Sequence, residues 1–261
     1  MRSDVAKRLI PVLLLRDGGL VKTVRFKDGT YIGDPINAIR IFNDLRVDEL
    51  MVLDIDASKE GREPDEDLLR ELADEAFMPL GYGGGITTTD QARRILRIGY
   101  EKVAFNAASH RNPDIITDAS KMFGSQSVVG AMDVKHGLLG STHRFDHTTG
   151  SKIPRPSVTE WTQELERLGA GEILVNFVDR DGMMEGMDVD AIRDITEAVA
   201  IPVVACGGAG SLDDVAAAAR SGASGVAAGS LFVFRSKKRG VLINYPSPEE
   251  VAGAMAPGID S

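Results

Sequence analysis

Five aspartates, Asp54, Asp56, Asp133, Asp179 and Asp181, fall at or near the ends of short apolar runs. A carboxylate there can exchange a proton or hold a cation. Asp133, in SVVGAMDV, is the strongest acid–base candidate. The run around it is suited to burial, so desolvation or a cation such as Lys22 would tune it. Four other apolar runs end in glycine or small residues: Gly83-Gly84-Gly85, Asn106-Ala107-Ala108-Ser109, Gly207-Gly208-Ala209-Gly210 and Gly229-Ser230. Such runs let backbone amides close on a phosphate. Paired on two sides of one mouth, they would suit an elongated ligand with a phosphate at each end. Gly182 follows Asp181 in a similar polar turn. Helix capping and tight turns compete with binding as explanations for single members of this set.

A second group stands at strand beginnings. Arg8, Glu49, Lys102 and Glu172 each start, or immediately precede, an apolar run. They could be solvated charges that prevent strand slippage, or they could converge as a neutral ring of two cations and two anions. His143, Asp146 and His147 have metal-ligand types but no third strong ligand at suitable spacing, so a solvated hairpin is expected there and no metal site. Cys206 is the sole cysteine, in an apolar run, which implies a buried side chain and excludes an internal disulfide.

The elements that must position these residues alternate. Strands are expected at Arg8–Leu15, Glu49–Ala57, Met78–Gly83, Glu101–Asn106, Ser127–Val134, Glu172–Val178, Pro202–Cys206 and Gly225–Gly229, with helical periodicity between them. The segment from Pro202 to Phe232 aligns without a gap on that from Pro79 to Ser109, with eight of thirty-one positions identical. Average composition would give roughly two. Alternating strands and helices in two matched halves imply a (βα)8 barrel, a single domain over 1–261 with half-barrels of about 1–120 and 121–261. Ligands would then bind at the C-terminal strand ends. The stretch Arg16 to Asp34, with Lys22, Arg25 and Lys27, is long for a connection and reads as a lid or a flexible surface loop. His136 to Ser157 reads as a hairpin or insertion. A basic patch, Lys237, Lys238 and Arg239, precedes a last helix after Pro248.

A net charge of −9 argues against a nucleic-acid or anionic-membrane binder. No apolar run approaches a bilayer-spanning length and no signal peptide is visible, so a cytoplasmic location is expected.

From Lys7 to about Phe234 the chain resembles the HisF family, the cyclase subunit of imidazole-glycerol-phosphate synthase. The markers are RLIPVLLLRDGGLVK, DELMVLDIDAS, GGGI, FGSQSVVGAMDVK, GAGEILVNFVDRDG and CGGAGS. The resemblance implies a two-fold (βα)8 barrel, a phosphorylated ligand at the mouth, no cofactor, and a HisH-like glutaminase docked on the floor. It makes Arg8, Glu49, Lys102 and Glu172 an ammonia gate. It places Lys22, Asp54, Gly84, Gly85, Asn106, Asp179, Asp181, Gly182, Gly207, Gly208, Gly229 and Ser230 around substrate. Asp133 matches one of the family's two catalytic aspartates. The other position, on the first strand, is Leu14, which cannot transfer a proton. Asp56, Ala107, Asn176 and Met183 replace threonines of the family pattern. RDGGLVKTVRFKD, YIGDPINAIRIFN and GVLINYP are similar to the HisF-like acetamidino-modification proteins of surface-polysaccharide biosynthesis. There the implied role is to pass ammonia toward a separate sugar amidotransferase. A cyclase and a scaffold that activates a glutaminase are the alternatives.

Overall fold

In a computed structural model, the structure describes residues 7–137, 141–235 and 240–256. Lys237, Lys238 and Arg239 lie outside the described residues. Eight parallel strands form the central sheet: β1 (Arg8–Arg16), β2 (Leu50–Asp54), β3 (Leu80–Gly83), β4 (Lys102–Phe105), β5 (Val128–His136), β6 (Glu172–Phe177), β7 (Val203–Cys206) and β8 (Gly225–Ala228). Each pairs with the next, and β8 returns to β1 through Arg8↔Gly225 and Pro11↔Ala228, so the sheet closes on itself. Helices α1 (Pro35–Asp44), α2 (Glu66–Glu75), α3 (Thr89–Ile98), α4 (Asp114–Phe123), α5 (Val158–Leu168), α6 (Val189–Glu197), α7 (Leu212–Arg220) and α8 (Pro248–Met255) follow the eight strands in turn. The chain is a (βα)8 barrel.

Local signals explain where the helices start. Thr88 with Gln91, Ser157 with Glu160, Ser211 with Asp214 and Ser247 with Glu250 form reciprocal capping boxes ahead of α3, α5, α7 and α8. Each satisfies two otherwise orphaned amides, and an N-cap is worth about 1 kcal/mol. Asp34 caps α1, which opens on Pro35.

Strand alternation divides the apolar residues into two cores. Leu9, Leu13 and Leu15 of β1 face the helices and join the large outer core with Phe42, Ile95 and Phe232. Ile10 and Val12 face the bore with Met51, Ala104, Val129, Ala131, Leu174, Val204, Cys206 and Ala227, and Leu14 and Leu53 pack against them. Small residues make room here: a Cβ on Gly81 would lie 2.7 Å from Met51 Cε.

Most strands are shorter at their ends than expected from sequence, because pairing stops before the hydrophobic run does. β1 and β5 are longer, since each continues into an antiparallel pairing with a hairpin. The expected lid at Arg16 to Asp34 is one such hairpin, Gly19–Val24 with Lys27–Gly33. Its tip, Arg25 and Phe26, has φ of 53° and 60°. Such values at both turn positions match the twist of paired strands, although side chains seldom adopt them. The loop after β6 holds the tip: Arg25 N–H donates to the Asp181 carbonyl (2.9 Å), Phe26 N–H to Asp181 Oδ2 (3.3 Å) and Thr23 Oγ1 to the same oxygen (2.7 Å). The insertion after β5 is a second hairpin, Thr142–Asp146 with Ser151–Ile153. Among the described residues no helix is long and apolar enough to cross a membrane.

Gly182 has φ +69°, and a Cβ there would meet the Thr23 carbonyl. Gly182→Ala is expected to cost roughly 1–3 kcal/mol in urea denaturation. It should also speed hydrogen exchange at the Arg25 and Phe26 amides. Unchanged exchange would show that the first hairpin stands without this clasp.

Candidate functional site

At the floor of the barrel the four strand-start charges meet. Lys102 Nζ donates to Glu49 Oε1 (2.9 Å) and Glu172 Oε2 (2.8 Å), and Arg8 binds the remaining oxygen of each carboxylate through Nη1 and Nη2. Every carboxylate oxygen is used once, and the ring is neutral. The glutamate side chains are only 5% and 7% exposed. Burial works against the charge on Arg8, but Glu172 and Glu49 outweigh it and raise its pKa. Of the two alternatives for these residues, the structure has them converge. A buried ion pair gains little over an apolar one, yet losing one member strands the others without compensation. Glu172→Ala is therefore expected to lower stability by about 3–5 kcal/mol in denaturant titration. A loss under 1 kcal/mol would mean that water already screens the ring.

At the opposite end, the C-terminal strand ends surround a cavity of about 350 Å³. Leu14, Lys22, Asp54, Asp56, Gly84, Gly85, Asn106, Asp133, Asp181, Gly182, Gly207, Gly208, Gly229 and Ser230 all line it. Asp179 does not: its Oδ2 accepts the His136 backbone N–H (2.7 Å) beside the second hairpin. Two carboxylates have structural occupations. Asp54 Oδ1 accepts the Asp56 and Ala57 amides at 3.2 and 3.0 Å, and Asp56 pairs with Arg16 Nε at 2.5 Å.

The matched glycines sit at equivalent places. Gly84 and Gly85 have φ of 126° and 68°, Gly207 and Gly208 of 105° and 103°. A Cβ on Gly84 would collide with the Asp54 carbonyl, so the main chain itself forms the wall. Lys22, on the first strand of the first hairpin, reaches into the mouth, its Nζ donating to the Val12 carbonyl (2.7 Å). It leaves no room for a side chain on Gly229. Burial lowers its pKa to about 8, against the pull of Asp181 and Cys206. Burial also raises the Asp181 carboxyl, despite the Thr23 hydrogen bond and the Lys22 charge. Burial pushes the Cys206 thiol up to about 12, which leaves it a packing residue.

Asp133 has two neighbours on one oxygen. Asn106 Nδ2 donates to Oδ2 at 2.8 Å, and His147 Nδ1 lies 2.8 Å from the same atom. A carboxylate accepts, so Nδ1 carries the proton. The expectation of a solvated hairpin at His143, Asp146 and His147 needs correction at His147. Its side chain is 20% exposed and lines the cavity. The reason is register: Phe145 pairs with Asp133 across the sheet, which carries the following turn over the mouth. Among the described residues no three His, Cys, Asp or Glu side chains form a metal-ligand group. His147 thus joins the site although its sequence context reads as a turn. The alternating HRF before DHTT is the one signal that points to a paired strand.

Burial opposes a charge on His147, but the hydrogen bond and charge of Asp133 outweigh it, raising the pKa above 6.5. The resulting stabilisation is fully present below pH 6.5 and is lost as pH rises through the folded-state value. In Asp133→Asn the NMR-detected titration of His147 should move to lower pH. A titration that stays in place would assign the shift to other groups.

The sequence pattern of the histidine biosynthesis protein family matches residues 8–238. A Vibrio vulnificus protein, provisionally named an imidazole glycerol phosphate synthase subunit, is 50% identical over 251 residues, covering 95% of this chain and 96% of its own. A Pseudomonas aeruginosa protein with a similar provisional name is 50% identical over 243 residues, 93% and 96% of the two chains. The imidazole glycerol phosphate synthase subunit HisF of Alkaliphilus metalliredigens is 43% identical over 229 residues, 87% and 90% of the two.

Proposed function

This chain belongs to the HisF family of histidine biosynthesis proteins, and from that premise we propose that it is the ammonia-receiving barrel subunit of a glutamine amidotransferase complex. A HisH-like glutaminase docks on the barrel floor. Ammonia passes the ring of Arg8, Glu49, Lys102 and Glu172, crosses the apolar bore, and is used for amidino modification of a surface-polysaccharide sugar through a separate amidotransferase. The observation that carries this reading is the contrast between the two ends. The floor ring is complete, whereas Leu14 stands across the mouth from Asp133, where an acid–base pair would need a second titratable side chain.

Two further points support it. The relatives are named as subunits of a synthase, which fits a second chain. The bore is lined by Ile10, Val12, Met51 and Leu174, an environment that admits neutral ammonia far more readily than ammonium.

A second reading, the cyclase of histidine biosynthesis, has one observation in its favour: Asp133 is retained at the mouth and holds His147. The two separate in one assay. The barrel reconstituted with its glutaminase is expected to release ammonia from glutamine. It should convert the bisphosphorylated ribulosyl intermediate to imidazole glycerol phosphate roughly 10²–10⁴-fold more slowly than a HisF relative with an aspartate at the Leu14 position. Equal turnover by the wild type would defeat the amidino reading and make the protein a cyclase.

A further inference from the structure

The first hairpin carries side chains that its clasp on Asp181 does not require. Its tip residues, Arg25 and Phe26, hold left-handed backbone angles that glycine or asparagine adopts at lower cost, and both line the mouth. The clasp uses only their amides and Thr23, so the two side chains are presented on a fixed turn. The loop that holds the tip follows β6, three strands round the ring from β1, so the hairpin spans one side of the mouth. Its outer strand, Lys27–Gly33, pairs only with Gly19–Val24, which leaves the other edge without a strand partner among the described residues. Tyr31 on that strand is 67% exposed. It is not part of the cavity wall, so a ligand confined to the cavity does not account for it.

The charge of this rim runs against that of the chain. The net charge is −9, yet six cations, Arg16, Lys22, Arg25, Lys27, Lys59 and Lys135, line the mouth against four carboxylates. Those carboxylates are occupied: Asp54 pairs with Arg62, Asp56 with Arg16, Asp133 with His147, and Asp181 with the hairpin tip. Arg25, Lys27 and Lys59, the last on the short helix Ala57–Glu60 after β2, are exposed and form no ion pair among the described residues. A lysine on an edge strand also discourages non-specific pairing. That role asks neither for an exposed tyrosine beside it nor for an arginine and a phenylalanine in a costly turn. Preorganised arginine and aromatic side chains are the usual anchors of protein interfaces.

We propose that this rim, centred on Arg25, Phe26, Lys27, Tyr31 and Lys59, is the docking face for the enzyme that consumes the ammonia, and that the contacting face of that enzyme is acidic. The proposal rests on the reading that ammonia leaves through this mouth for a separate amidotransferase. Ammonia released into water at neutral pH takes up a proton and ceases to be a nucleophile, so an open mouth would lose it. A partner seated on the rim continues the water-excluding path of the bore. Opposite charges on the two faces speed their encounter and set their orientation.

The test measures amidine formed on the sugar by the purified amidotransferase, with the barrel and its glutaminase supplying nitrogen from glutamine. Glutamate dehydrogenase, 2-oxoglutarate and NADPH are added to remove any ammonia that escapes. With wild type, amidine formation should persist in the scavenger, and the barrel concentration that gives half-maximal rate should rise with added sodium chloride. The triple variant Arg25→Glu, Lys27→Glu, Lys59→Glu should need roughly 10–10²-fold more barrel and lose its nitrogen to the scavenger. Its release of ammonia from glutamine should be unchanged, which checks that the barrel is folded and its floor intact. The charge-conserving exchanges Arg25→Lys, Lys27→Arg and Lys59→Arg should transfer like wild type. Wild-type transfer abolished by the scavenger, or a triple variant that transfers normally, would overturn the docking face and leave the amidotransferase reading in place. So would a triple variant that loses only the binding of sodium pyrophosphate in calorimetry, which assigns the rim to a small anion. If ammonium chloride supports the amidotransferase but glutamine with the wild-type barrel does not, the underlying reading fails and this proposal with it.

Discussion

Closure of a parallel sheet into a barrel is the constraint on which everything else here depends. Once β8 pairs with β1, every strand must send alternate side chains into one narrow bore. Residues at strand starts then have nowhere to go but toward each other, and residues at strand ends likewise. Arg8, Lys102 and Glu172 are first residues of their strands, and Glu49 immediately precedes its own. Their mutual contacts follow from that geometry together with sign complementarity. Four charges of one sign could not occupy this place.

The two ends of the bore use polar groups in opposite ways. At the floor each glutamate oxygen has a cation and the ring is neutral, although Arg8 Nε is buried without a partner among the described residues. The mouth is under-satisfied. Amide oxygens of Asn106 and Asn176 stand unpaired among the described residues, and Lys22 is buried with a carbonyl as its hydrogen-bond acceptor. Burying polar groups in this state costs stability, and proteins accept such costs where a ligand completes the network. The first hairpin belongs to the same arrangement, since Asp181 holds its tip with one carboxylate oxygen and one carbonyl.

Much of this was legible from residue patterns. Eight apolar runs separated by helical periodicity, and two segments that repeat each other, lead directly to a closed parallel barrel. Once the barrel is granted, the glycine turns and carboxylates must lie at one end and the strand-start charges at the other. Asp179 does not line the cavity, because a strand-end position in sequence says nothing about which way the following turn bends. Its oxygen goes to the His136 amide, outside the cavity. His147 was hidden for the converse reason. A polar DHTT turn looks solvated until the register of Phe145 against Asp133 carries it over the mouth.

By itself, the order of residues determined the period-two alternation, the helix caps and the pairing of glycine turns. Those are local facts, set by steric preference and side-chain chemistry within a few positions. Only the tertiary structure decided that the four floor charges complete one another rather than face water, and that Arg16 to Asp34 is a clasped hairpin. It also decided that His147 rests on Asp133. Each of these joins groups far apart in the chain, and such contacts depend on register and closure, which no short window of sequence contains.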